Sequence, residues 1–153
     1  AATNTGDRSA ATNTGYRSEA TNTGDYSAAT NTGNKSAATN TGDYSEATNT
    51  GDYSAATNTG DRSAATNTGD YSAATNTGYQ SAAIVEGKES IALATGIKSK
   101  AKGKIGCFIV LTEWKEINNE YHIVDIKSAK VDGENIKEDT FYMLKDGKFV
   151  EVD

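Results

Sequence analysis

The single cysteine and the single histidine, Cys107 and His122, are the two residues whose types could make and break bonds together. They lie fifteen residues apart in the chain. A thiolate activated by an imidazole also needs a third group to orient the base and donors for an oxyanion, and no motif supplies either. The sequence has no phosphate-binding glycine loop, zinc-ligand spacing or nucleophile elbow. His122 therefore reads as a packed or surface residue.

The remaining chemistry-bearing residues recur at a fixed interval. Asp7, Asp25, Asp43 and Asp61 are spaced by 18, and Arg8, Tyr26, Tyr44 and Arg62 follow them one place later. Tyr53 and Tyr71 follow Asp52 and Asp70 in the same way. Stacked one above another, these residues would form carboxylate columns beside columns of rings and guanidinium groups. Such columns suit stacking, cation–π contact and the binding of a partner. Carboxylates in a column repel, so neighbouring arginines or a bound cation are expected to relieve them. The reading is non-enzymatic, with no catalytic, metal or cofactor site assigned.

The frame holding these columns is a nine-residue repeat, Ser-Ala-Ala-Thr-Asn-Thr-Gly-x-x. Blocks begin at Ser9 and at every ninth residue through Ser90, and Ala1 to Arg8 is a clipped copy in the same frame. A short fixed period means stacked copies of one unit. Disorder competes for so polar a tract, because little apolar surface is available to offset chain entropy. Helix does not suit it, since Thr, Asn, Thr and Gly stand consecutively in each block. A parallel β-solenoid fits best: glycine at the seventh place turns the chain, Ser to Thr forms the strand, and two blocks make one 18-residue coil. Five full coils at about 4.8 Å give a stem of roughly 25 Å.

Side-chain parity follows from the exceptions. The second place holds Glu19, Glu46 and Lys100 as well as Ala, so it faces water. Strand alternation then sends Ser, the second Ala and Asn inward. Asn22, Asn40, Asn58 and Asn76 would stack as an inward ladder, with amides hydrogen-bonded up and down the column. The two Thr of each block point outward as a Thr-x-Thr array on each sheet.

Composition divides the chain at the end of the repeats. Val, Ile, Leu, Met, Phe, Trp and Cys are all absent before Ile84. Residues 1–103 read as the solenoid and 104–153 as a small β-rich cap. Ile105–Trp114 reads as an apolar strand, Glu116–Glu120 as a polar turn, and Tyr121–Val131 as a second strand. Asp132-Gly133 is a turn, Phe141–Leu144 a third strand, Asp146-Gly147 a hairpin turn, and Phe149-Val150 a fourth. About 50 residues are marginal alone. Their apolar face is expected to pack on the last coil, where Ile84, Val85, Ile91 and Leu93 appear, hiding its open strand edges.

The net charge is −6 and the isoelectric point about 4.8, with neither half basic, so binding to nucleic acid through its phosphates is not expected. No stretch approaches the ~20 apolar residues of a membrane span, and membrane contact is not expected. One cysteine allows no internal disulfide. The chain opens inside a repeat and without methionine, as a fragment or processed product would.

Three resemblances accompany these motifs. The nonapeptide period is similar to the calcium-binding roll of secreted toxins, but each block has one glycine and no apolar ninth place, so its calcium sites are not carried over. Ser90–Ala101 resembles the head repeat of trimeric autotransporter adhesins, which is also a β-roll. Most of the chain looks like a group of phage and prophage proteins with AATNTGDxS tracts. In these the tract runs through a segment matching Ser81–Gly103, a strand matching Gly106–Trp114 and a tail matching Val131–Val150. That likeness implies phage origin and a location in the bacterial cytoplasm or on a phage, and names no activity.

Together these features point to a rod that presents interaction surfaces, binding a host or phage protein. It could also associate with itself end to end through the open N-terminal coil. Alternatives are ice binding by the Thr arrays and mimicry of DNA by an acidic rod through Asp25, Asp43 and Asp61.

Overall fold

The computed structural model describes all 153 residues, and it is all-β. Twelve short strands make six stacked coils. β1 (Ala2–Asn4), β3 (Glu19–Asn22), β5 (Ala37–Asn40), β7 (Ala55–Asn58), β9 (Ala73–Asn76) and β11 (Ile91–Ala94) pair in parallel in one sheet. β2 (Ala10–Asn13), β4 (Ala28–Asn31), β6 (Glu46–Asn49), β8 (Ala64–Asn67), β10 (Ala82–Val85) and β12 (Lys100–Lys102) form the other. The register advances by one 18-residue coil each time, so that Ala38 faces Ala56 and Asn40 faces Asn58. The sixth coil comes from the clipped first block and the shortened block at Ser99, which still supply β1 and β12. The strands are four residues or fewer; the serine and the second threonine lie in the corners.

The interior is filled as strand parity requires. The second Ala of each block from Ala20 to Ala101 is fully buried, and so is every fifth-place Asn from Asn22 to Asn76. The asparagines do not bond to one another. Asn58 donates from Nδ2 to the carbonyls of Ser45 and Ala64, both at 3.1 Å, and its Oδ1 accepts from the Gly60 N–H at 2.9 Å. Each amide thus ties the end of its own strand to two corners. The Gly60 N–H has no backbone partner, and a buried unpaired donor costs about 1–3 kcal/mol. The column bonded coil to coil is serine. Ser63 Oγ accepts from Ser45 N–H at 2.9 Å and shares its proton between the carbonyls of Asp61 and Gly42. No buried side-chain nitrogen or oxygen lacks a partner.

The glycine has a different task from the expected one. None of the corner glycines has positive φ; the left-handed residue is the ninth place, occupied by Arg, Tyr, Lys, Gln or Glu with φ between 50° and 57°. Glycine is required by close stacking. A Cβ on Gly60 would lie 1.9 Å from the Gly42 carbonyl oxygen, so the stacked backbone itself would have to shift. The ninth residue accepts a strained backbone, and its N–H donates to the eighth-place carbonyl one coil on, as from Tyr44 to Asp61 at 2.8 Å.

At the C-terminal end the fifth place changes from Asn to Val85, Ala94 and Gly103, and the interior turns apolar. β13 (Phe108–Ile117) continues the first sheet in parallel with β11, pairing Ala92 with Ile109. β14 (Glu120–Lys130) then returns antiparallel. On the second sheet β15 (Phe141–Lys145) pairs antiparallel with β12, and β16 (Lys148–Val152) follows. Instead of a separate antiparallel unit laid on the coil, each sheet ends in its own hairpin. The segment between them crosses the open end, with Val131 and Ile136 joining a core of Val85, Cys107, Ile109, Leu111, Tyr142 and Leu144. Of the four residues expected to meet the cap, only Val85 lies inside. Ile91 stands outside, 46% exposed, and Ile84 and Leu93 are half-buried on the outer faces, because the second and fourth places point outward in every coil.

Candidate interaction surfaces

The corners set the side chains that form the outer columns. Left-handed backbone at the ninth place swings each side chain out along the edge of the rod, one coil above the last. Tyr26 and Tyr44 stack with centroids 5.0 Å apart and planes 6° from parallel. Arg8 lies over the Tyr26 ring at 5.8 Å and Arg62 over Tyr44 at 5.4 Å. Arg62 also donates to the Tyr44 hydroxyl, which raises its pKa above the ordinary guanidinium value. On the opposite edge Tyr53 and Tyr71 stack at 5.2 Å, and all four rings are about half exposed. Beside them runs a shallow trench of about 540 Å³, with Arg17 and Lys35 toward its N-terminal end and Glu89 toward the other.

The Asp columns are relieved by backbone. Asp25 Oδ1 accepts the Asp43 N–H at 2.9 Å, Asp43 Oδ1 accepts that of Asp61 at 2.8 Å, and Asp61 Oδ1 accepts that of Tyr79 at 2.8 Å. Each carboxylate therefore caps the turn of the next coil. Asn34 does the same for Asp52 on the other edge at 3.0 Å.

The Thr arrays lie outward on both sheets, in register with the coils. Fourth-place residues such as Thr39 and Thr57 are half-buried, and sixth-place residues such as Thr41 and Thr59 are exposed. Cys107 and His122 are kept apart. The thiol is buried and donates to the Gly87 carbonyl at 2.9 Å, while His122 is exposed far along the hairpin, opposite Lys115.

One surface escapes repeat reading. β13 has ten residues where coil strands have four, so its second half overhangs the rod, with β14 beside it. Between this overhang and the β15–β16 hairpin opens a cleft of about 570 Å³. Its walls include Ile97, Trp114, Tyr121, Met143, Val150 and Val152. The Trp114 indole N–H donates to the Thr95 carbonyl at 2.9 Å and to Thr112 Oγ1 at 3.0 Å, which holds the ring in place. Glu113 is buried and accepts from the N–H groups of Gly147 (2.9 Å) and Asp146 (3.0 Å), tying the hairpin tip to β13. Those backbone donors, Gly147 first, hold its carboxyl below the usual range despite burial. The excess length of the apolar run was the available signal for this overhang.

Geometry and surface define a capped parallel β-solenoid with ordered outer columns. Comparison with protein-family models, with curated proteins and with solved structures finds no match.

Proposed function

We propose that this chain is a non-enzymatic structural and interaction protein. In this reading it is a rigid rod carrying regular columns of Thr, Tyr and Asp, of phage or prophage origin. The observation that carries it is the unbroken coil register from β1 to β12, which repeats each surface group at about 4.8 Å. A partner meeting one ring or carboxylate then meets the next in the same orientation, so weak contacts add along the rod. The AATNTGDxS tract and the tail from Val131 to Val150 support the phage assignment.

β1 and β2 each have a neighbour on one side alone, and a second copy stacking there would extend both sheets. Light scattering after size exclusion tests this: the mass should rise above 16.0 kDa with concentration. Thr3→Pro with Thr12→Pro, on the two edge strands, should return it to one chain. A strict monomer at high concentration removes end-to-end association. For the columns, a bacterial protein should be retained from lysate by the native rod and released when Tyr26 and Tyr44 become Ser. Equal retention by both ends that assignment.

The in-register Thr columns support a second reading, the binding of ice. It predicts thermal hysteresis that is lost in Thr39→Lys or Thr57→Lys. Absence of hysteresis in the native chain disposes of it.

A further inference from the structure

We infer that the cleft between the two terminal hairpins binds a small amphipathic anion, a molecule with an apolar body and one acidic head. Its volume, about 570 Å³, falls within the range of small-ligand sites, which are concave and mostly apolar with a few placed polar groups. Trp114, Tyr121, Met143 and Val150 supply the apolar wall, and the indole is held by two hydrogen bonds before any ligand arrives. A wall fixed in advance loses little freedom on binding.

The sign of the head follows from the charges lining the cleft. Lys98, Lys115 and Lys145 stand there against Glu113 and Asp146. Lys115 lies between the two carboxylates, 3.4 Å from Glu113 and 3.3 Å from Asp146, so these three groups answer one another. Lys98 and Lys145 take part in none of the chain's ion pairs. Lys98 lies near the Tyr79 ring at 5.8 Å, and Lys145 is paired across the hairpin with Lys148, another cation. The lining thus carries an uncompensated positive charge on a chain whose net charge is −6. An anionic head would neutralise it while the apolar body covers Trp114.

Trp114 is the chain's single tryptophan, so its emission reports the cleft directly. Titrating the intact protein with decanoate should give a saturable change in that emission at one molecule per chain. Lys98→Gln together with Lys145→Gln should weaken decanoate about five- to tenfold, the size of two solvent-screened charge contacts, and leave the uncharged analogue decanol unaffected. Both lysines are exposed, so the substitutions leave the core untouched. A native protein that gives no saturable change overturns the inference. So does decanoate binding that survives both substitutions. The rod's columns lie elsewhere, and neither result bears on them.

Discussion

The middle coils and the C-terminal end share two continuous sheets but are held together by different forces. Around Asn58 the interior is methyl groups, hydroxyls and amides, and the coils are joined by hydrogen bonds together with packed alanine columns. Around Ile109 it is aliphatic and aromatic, closed by Val131, Ile136, Tyr142 and Leu144. The coils can be lengthened by copying because each meets an identical neighbour, whose corner groups its own side chains satisfy. An end has no such neighbour, so it must stop the pattern by removing the amides and excluding water. The substitution of Val85, Ala94 and Gly103 at the asparagine place marks that change.

The sharpest way to break the comparison is at a corner. Gly60→Ala should cost more than about 4 kcal/mol, the upper range for single changes, since its methyl group would overlap the Gly42 carbonyl. Loss of the cooperative thermal transition would show it. Survival of that transition would mean that the coils stack less tightly than described.

Next come paired substitutions in the two interiors. Ile109→Ala should cost about 2–5 kcal/mol through cavity and transfer terms. Asn58→Ala should cost about 1–3 kcal/mol, chiefly from leaving the Gly60 N–H buried without a partner, since the Ser45 carbonyl keeps the Ala64 N–H at 3.0 Å. Urea unfolding measures both. If Asn58→Ala proved neutral, hydrogen bonding would not be what holds the coils.

Acid should separate the regions more gently. Asp132 accepts from the Asn135 side chain and from the N–H groups of Ile136, Glu134 and Asn135, which hold its pKa far below the ordinary value. Glu113 is lowered too. Groups with depressed folded pKa values stabilise fully above their unfolded values, near 4, and lose that contribution as pH falls below them. Amide protection, taken relative to the intrinsic exchange rate at each pH, should therefore fall below about pH 4 in residues 132–136 and at the β15–β16 turn. Asp132→Asn should flatten that dependence. An unchanged profile would detach Asp132 from the closing of the rod.

The smallest effect expected is a gain. Gln80 has φ of 51°, and Gln80→Gly should stabilise by about 1 kcal/mol by relieving the left-handed backbone. A loss instead would mean that the Arg62–Gln80 hydrogen bond at 3.2 Å outweighs the strain.

Much of this was legible in the residues. Glu19 and Glu46 settle which places face water, and Asp146-Gly147 announces a hairpin, with both residues at positive φ. The hidden features all depend on a neighbour one coil away. A glycine reads as a turn residue until the carbonyl above it is known, and an inward amide reads as part of a ladder until the nearer corner carbonyls appear. An Asp column reads as repulsive until each carboxylate finds the next N–H.

The period and the order of residue types were enough to dictate coil length, parity and the place where repetition stops, because these depend on covalent spacing and on solvation of single side chains. Which donor meets which acceptor, which residue bears the left-handed strain, and the cleft beneath the overhanging β13 were decided by packing. Those features involve atoms brought within 3 Å by stacking or by the crossing of two hairpins, and sequence separation carries no record of such distances.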